Sequence, residues 1–438
     1  MVGRMTPGAR PVEVLLSALL VTAAVLTGGG PRAAALTGGA GAALPGGHLV
    51  PEPGSASELD GVFCTSSASC WAVGGYSPPA GNVELNEALR WNGRTWSQVF
   101  VPSPPASSPG GGSVLREVRC LGAGNCWAVG LYERREAELN EAVHWNGRRW
   151  SLVPVPQPGG TASGDSSQLF DVACGSPTSC WAAGDYHTGA TFTTASLNEL
   201  LHWNGRRWSL VSIPDPGGAA TDDTNVLESV RCTSARSCLA VGTHNLPGRP
   251  SVVLNEVLRW NGRTWSLVAA PDPGGVAAAG DFSQLLGLTC ASARDCWAAG
   301  TYGGHIPAVT FLNEILHWNG RKWTQVIVPN PVGGSGSIQV LDAAACSSAT
   351  SCWAVGWDTP RDPNSGFDLS QAIHWNGRRW ALVPAPDPGG TSRDDVNQLK
   401  AVQCTSAAEC WAVGFGEPSF ASRLAVALRW NGTRWSPR

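Results

Sequence analysis

Fourteen cysteines fall into seven local pairs: Cys64/Cys70, Cys120/Cys126, Cys174/Cys180, Cys232/Cys238, Cys290/Cys296, Cys346/Cys352 and Cys404/Cys410. Five residues separate the members of every pair. That is not the spacing of a zinc ribbon or finger. An even count at a fixed local spacing reads as disulfides, each clipping a small hairpin loop shut and stabilising by roughly 2–3 kcal/mol on the chain-entropy model. No cysteine is left as a nucleophile or metal ligand, and neither a cofactor nor a metal is expected. Six residues after the second cysteine stand the chain's only tyrosines, Tyr76, Tyr132, Tyr186 and Tyr302. His244 replaces them in the fourth copy. Asp358 beside Trp357, and Gly416 beside Phe415, do so in the sixth and seventh. A partial ring of aromatics suits sugar or peptide recognition, since a rigid ring offers contact area at low entropic cost. Arg134, Arg135 and Arg361 break the repeat on the same side, as do Glu133, Glu136 and Asp362. His187, His244 and His305 could converge there, without metal-ligand spacing. These residues form the candidate ligand site, and no catalytic residue is assigned.

Other polar groups read as scaffold. Asn-Glu recurs five times, as Asn86-Glu87, Asn140-Glu141, Asn198-Glu199, Asn255-Glu256 and Asn313-Glu314. Five equivalent carboxylates spread over a repeat do not make one acid–base pair, so they are expected to bond within their own units. His144, His202, His317 and His374 precede Trp-Asn-Gly and read as structural. Asp222-Asp223 and Asp394-Asp395 lack a calcium-loop spacing. Asn431-Gly432-Thr433 is a glycosylation sequon by pattern.

These residues sit in a block of about 57 residues that occurs seven times, and a repeat sets the architecture. Each copy holds four strand-like runs. The first opens on Leu59, Leu115, Leu169, Leu227, Leu285, Leu341 or Leu399 and ends at the first cysteine. The second follows the second cysteine, with Trp71, Trp127, Trp181, Leu239, Trp297, Trp353 or Trp411 next. The third leads into Trp-Asn-Gly, and the fourth opens on another Trp and exits through prolines, as suits an edge strand. Asn-Gly predicts a two-residue type I′ hairpin, with Trp91 opposite Arg94 and Leu89 opposite Trp96. Twenty of the 21 tryptophans occupy repeat positions, Trp357 being the exception. The pattern predicts an all-β fold: a seven-bladed β-propeller with four antiparallel strands and one intra-blade disulfide per blade. The last copy stops at Arg438, and His48–Gly54 matches the tail of a fourth strand. The two ends are therefore expected to close the ring together.

The Cys-Trp-Ala-Val-Gly and Trp-Asn-Gly-Arg-x-Trp repeats resemble those of secreted bacterial propellers of the kelch/galactose-oxidase-like type over residues 48 to 438. The double Gly typical of kelch repeats appears only at Gly74-Gly75. A copper oxidase of that group would need a Tyr–Cys link and His ligands. With every cysteine assigned, the resemblance implies architecture and not activity.

Net charge of −3 and a charged fraction of 14% give no basic face for nucleic acid and no polybasic segment for lipid. Arg4 and Arg10, the apolar stretch Val12 to Leu26 and the small residues of Pro31 to Ala35 read as an export signal. The expected organisation is a signal peptide at 1–35, a flexible segment at 36–47 and the propeller at 48–438. The mature chain is expected to be extracellular, monomeric and free of the membrane. Short uniform turns mark one face, and the variable second-to-third and fourth-to-first loops mark the other. Function is expected on the variable face, as non-enzymatic recognition of a carbohydrate or protein. The alternative is an extracellular polysaccharide hydrolase or lyase with its active site at the channel mouth.

Overall fold

The computed structural model describes residues 56–78, 83–105, 111–189, 194–304, 310–331, 336–360, 368–418 and 423–438. They form 28 strands and no helix, in seven groups of four. Unit 1 comprises Ala56–Ser66, Ser69–Ser77, Leu85–Trp91 and Trp96–Gln98, paired antiparallel in that order. The cysteines face each other across the first hairpin of every unit, and all fourteen are joined in seven disulfides. Each first strand neighbours the next, and the seventh neighbours the first. The architecture is that of a β-propeller with repeated four-stranded units.

The units are not all separate sheets. Single parallel pairs, Glu138 with Ser166 and Val253 with Phe282, fuse units 2 with 3 and 4 with 5, giving five sheets. These belong to a wider belt. At every junction a backbone hydrogen bond joins the start of a third strand to the start of the following first strand. Examples are Ser113 N–H to Glu84 O at 3.0 Å, Phe311 N–H to Ser337 O at 3.0 Å and Ser57 N–H to Arg423 O at 2.9 Å.

Indoles fill the other end of each junction. Trp181 packs at 4.9 and 5.1 Å from Trp260 and Trp265 of the next unit. Trp411 of unit 7 meets Trp91 and Trp96 of unit 1 at 4.8 and 5.0 Å. Such pairs contribute about 0.5–1.5 kcal/mol each beyond area burial. Between units 4 and 5 the second-strand indole is absent. Leu239 stands there, and Arg259 lies over Trp318 of unit 5 at 5.7 Å.

Two expectations are corrected and two are refined. The Trp-Asn-Gly turn is not a two-residue type I′ hairpin, since Trp91 pairs with Trp96 and Leu89 with Gln98. Type I′ needs two residues at positive φ, but only Gly93 has one, at 94°. Instead the Asn92 side chain accepts from Arg94 N–H at 2.9 Å and Thr95 N–H at 3.0 Å, closing a four-residue loop. The group stacked on the strand-two indole is accordingly the residue before Trp-Asn-Gly, as in Arg90 on Trp71 or His202 on Trp181.

Second, the Asn-Glu groups bridge units as well as bonding within them, where each Asn also donates to a proline carbonyl, as Asn86 does to Pro102 O at 3.0 Å. Asn86 donates to Glu141, Asn140 to Glu199, Asn198 to Glu256 and Asn255 to Glu314, each at 2.6 Å. Burial drives all four carboxyls well above the usual carboxylate range. Third, the last unit's fourth strand is present as Trp435–Pro437, three residues long like its equivalents. Its expected completion by residues 48–54 lies outside the described residues.

Fourth, the disulfides are paired as expected but are more than clips on hairpin loops. The second cysteine of each pair belongs to the core. Cys70, Cys126, Cys180, Cys352 and Cys410 have no exposed surface at all, and Cys238 and Cys296 have 2% and 1%. Each stands on a second strand, which is flanked by strands on both sides and covered by neighbouring units. Cys70 packs with Leu59, Trp91 and Trp96, and Cys126 with Leu115, Trp145 and Trp150. Cys180 packs with Leu169 and Trp208, Cys352 with Leu341 and Trp380, and Cys410 with Trp430 and Trp435. Buried sulfur there acts as a small apolar group, so packing adds to loop closure and none of these five sulfurs is open to a ligand.

Candidate functional site

Every first strand carries a β-bulge at one point, directly after its leading Leu. A bulge leaves one residue unpaired and re-aims its side chain. Those residues are Asp60, Arg116, Phe170, Glu228, Leu286, Asp342 and Lys400 in chain order. Because the first strands neighbour one another, the bulges bring this chemically mixed group together along the row of first strands.

The charged members form a continuous circuit. Arg116 Nη1 lies 3.3 Å from Asp60 Oδ2, and Lys400 Nζ lies 3.7 Å from Asp342 Oδ2. Asp60 also feels Lys400, and Glu228 feels both Asp342 and Arg116. Gln284 Nε2 donates to Glu228 Oε1 at 3.3 Å. Burial pushes Asp60 up to about 7, Glu58 adds to that, and Arg116, Lys400 and Arg423 oppose it. Burial pushes Glu228 up to about 8, reinforced by Asp185 and Asp342. Asp342 is also raised by burial, against Lys400 and a hydrogen bond from the Trp357 side chain.

A second tier of acids comes from the starts of third strands and the ends of second strands. Glu84 is raised to about 7 by burial and Glu58. Asp185, which accepts from Ser196 Oγ at 2.6 Å, is raised to about 7 by burial. Glu138 accepts from Ser166 Oγ and Gln168 Nε2 at 2.7 and 2.6 Å. Asp368 accepts from Thr359 Oγ1 and Gln398 Nε2 at 2.6 and 2.7 Å. Arg423 pairs with Glu58 and stacks 4.0 Å from the Phe415 ring. The two tiers thus gather Glu58, Asp60, Glu84, Glu138, Asp185, Glu228, Asp342 and Asp368 against Arg116, Lys400 and Arg423.

The sequence-predicted residues divide in two. Asp342 feels the Trp357 side chain, and Phe415 carries Arg423, so both adjoin this group of acids. Asp358, raised to about 7 by burial, Asp387 and Asp368, lies beside that group. Tyr76, Tyr132, Tyr186 and Tyr302 are half-buried near the ends of second strands, each paired with a first-strand serine. Tyr186 feels Asp215 and Glu199, and Tyr302 feels Glu314. His244 is pushed down to about 4 by burial. His187 Nδ1 contacts Gly189 O at 3.0 Å. Arg134 and Arg135 are exposed on the tip of a hairpin. His305 and Arg361 lie outside the described residues. Asp223 and Asp395 each accept a backbone N–H at 2.7 Å, closing their turns.

The bulge residues were absent from the sequence-derived site, yet their signal is there. Leu59 and Val62 are three apart and both buried in one cluster, as are Leu115 and Val118, and Leu227 and Val230. A regular strand puts residues an odd number apart on opposite faces. Odd spacing of two core residues therefore announces a bulge between them.

No family model matches the chain, and no curated protein does. Solved structures do. A protein of unknown function from Dyadobacter fermentans matches with a TM-score of 0.47 at 11% identity, covering 90% of this chain and 100% of its own. The GH93 α-L-arabinofuranosidase of Fusarium graminearum, in complex with arabinobiose, matches at 0.44 and 12%, over 88% and 97%. A fucose-specific lectin from Aleuria aurantia matches at 0.40 and 9%, over 72% and 91%.

The expectation of a non-enzymatic binder is corrected here. The bulge residues supply what that expectation held to be missing, titratable groups brought together from distant units.

Proposed function

We propose that the chain is an extracellular glycoside hydrolase that cleaves a neutral polysaccharide at the channel mouth. One observation carries this reading. Glu228 and Asp342 occupy equivalent bulges and interact electrically; burial raises both, but of the two it is Asp342 that has a cation within ion-pair distance. Burial, Asp185 and Asp342 hold Glu228 up at about 8 against Gln284 and Arg116, so it carries a proton at neutral pH. Asp342 faces Lys400 and the Trp357 N–H, both of which favour its ionised form. Carboxyls whose environments push their proton affinities apart divide into acid and base.

Glu228 then donates its proton to the glycosidic oxygen as the bond to the anomeric carbon breaks. Asp342 takes a proton from the water that attacks that carbon. The negative field of the mouth favours the oxocarbenium-like transition state of this reaction. Trp357 and Phe415 offer apolar surface beside the acids, as sugar faces require. Elimination by a lyase needs a sugar bearing a carboxylate, which the excess of mouth acids would repel, so hydrolysis is the better-supported half of the expected alternative. A kelch-type copper oxidase finds no support, since every cysteine is spent in a disulfide. The disulfides favour an oxidising, extracellular setting, in keeping with the export signal expected at 1–35.

Reducing-end release from a panel of neutral polysaccharides tests the proposal. Glu228→Gln and Asp342→Asn should each lower kcat by about a hundredfold or more with the fold intact. Full turnover in both variants, or no release from any polysaccharide, would overturn it.

A further inference from the structure

Farther along the first strands lies a second charged group that hydrolysis at the mouth does not use. Arg231 is already committed there. Asp171 Oδ2 accepts from it, from Ser229 Oγ at 2.5 Å and from Val230 N–H at 2.8 Å. The other terminal nitrogen of Arg231 lies 3.9 Å from Glu117.

Arg119 has no such partner. Among the described residues its guanidinium makes no ion pair and no hydrogen bond, and its Nε is buried without an acceptor. It lies 4.7 Å from the centre of the Phe63 ring, which orients it without neutralising it. Burial first, and Arg231 second, push the guanidinium down to about 10. A cation withdrawn from water beside another cation is costly unless something pairs with it. Solvent is close, for Leu121, two residues along the strand, is exposed. Glu117 accepts Val118 N–H at 3.0 Å and is itself raised to about 7 by burial and Asp171, which weakens its hold on Arg119.

We infer that Arg119, with Arg231 beside it, binds a small oxyanion at this end of the channel. A planar fork of donors matches a carboxylate or a tetrahedral oxyanion. This inference does not depend on the hydrolase reading.

Calorimetric titration of the intact chain with sodium sulfate and with sodium acetate tests it, each against sodium chloride at equal ionic strength. At least one oxyanion should bind saturably. Sulfate alone would mark a tetrahedral ligand, and acetate alone a carboxylate. Arg119→Met should weaken binding about tenfold, the loss of a charge-assisted hydrogen bond. Arg119→Lys, which keeps the charge and loses the fork, should also weaken it and serves if the Met variant does not fold. In crystals, selenate should give an anomalous peak within hydrogen-bond reach of Arg119. No saturable binding beyond chloride, or undiminished affinity in the folded Arg119 variants, would overturn the site.

Discussion

Glu228 and Asp342 share a functional group and a backbone position, and differ by one methylene and in what surrounds them. That difference makes a pH profile the direct readout of the proposed chemistry. Activity should fall above about pH 8 as Glu228 loses its proton, and fall in acid as Asp342 gains one. Glu228→Gln should remove the alkaline limb from whatever activity remains. An alkaline limb that persists in that variant would assign it to another group. The inter-unit glutamates titrate with a different consequence. The folded pKa values of Glu141, Glu199, Glu256 and Glu314 lie above their unfolded ones. The stability they confer is therefore complete below about pH 4.3 and is lost as pH rises through the folded values. Glu199→Gln should gain on the wild type with rising pH, by up to about 1.4 kcal/mol per pH unit. Parallel melting curves across pH would show that the Glu199 carboxyl is ionised in the folded protein.

At the scale of the element, the sequence is readable where seven copies agree and opaque where they diverge. Cysteine spacing and tryptophan position are repeated, so the strands and the first hairpins follow from them. Spacing does not disclose depth, which is why the full burial of Cys70 and its four equivalents emerges only once neighbouring units are packed. The Trp-Asn-Gly register was misread because the Asn92 side chain, and not a second residue at positive φ, closes the loop. The bulge residues were passed over because their column is chemically mixed, though mixture on a uniform strand marks a place released from packing. Unit 4 offers the sharpest test of an element. Its second strand bears Leu239 where six equivalents bear Trp, and a shallow groove lined by Leu239, Arg259 and Trp318 lies at that junction. Leu239→Trp should raise the melting temperature by displacing Arg259 and restoring the indole cluster. A lower value would show that Arg259 already fills the space better than a ring can.

For the whole molecule, the question is whether the junction of units 7 and 1 equals the other six. Trp411 there and Trp181 within the array have matching partners and near-equal spacings. Trp411→Ala and Trp181→Ala should each cost about 3–5 kcal/mol, measured by denaturant unfolding. A much smaller cost at Trp411 would identify units 7 and 1 as ends that fray. The disulfides bear on the same question from another side. Each links cysteines only six positions apart, so no covalent bridge passes from one unit to another. A protease that nicks one variable-face loop would therefore leave two pieces held by packing alone. Run on a denaturing gel, those pieces should separate to the same positions with or without reductant, as they would from a protein with no cystine at all.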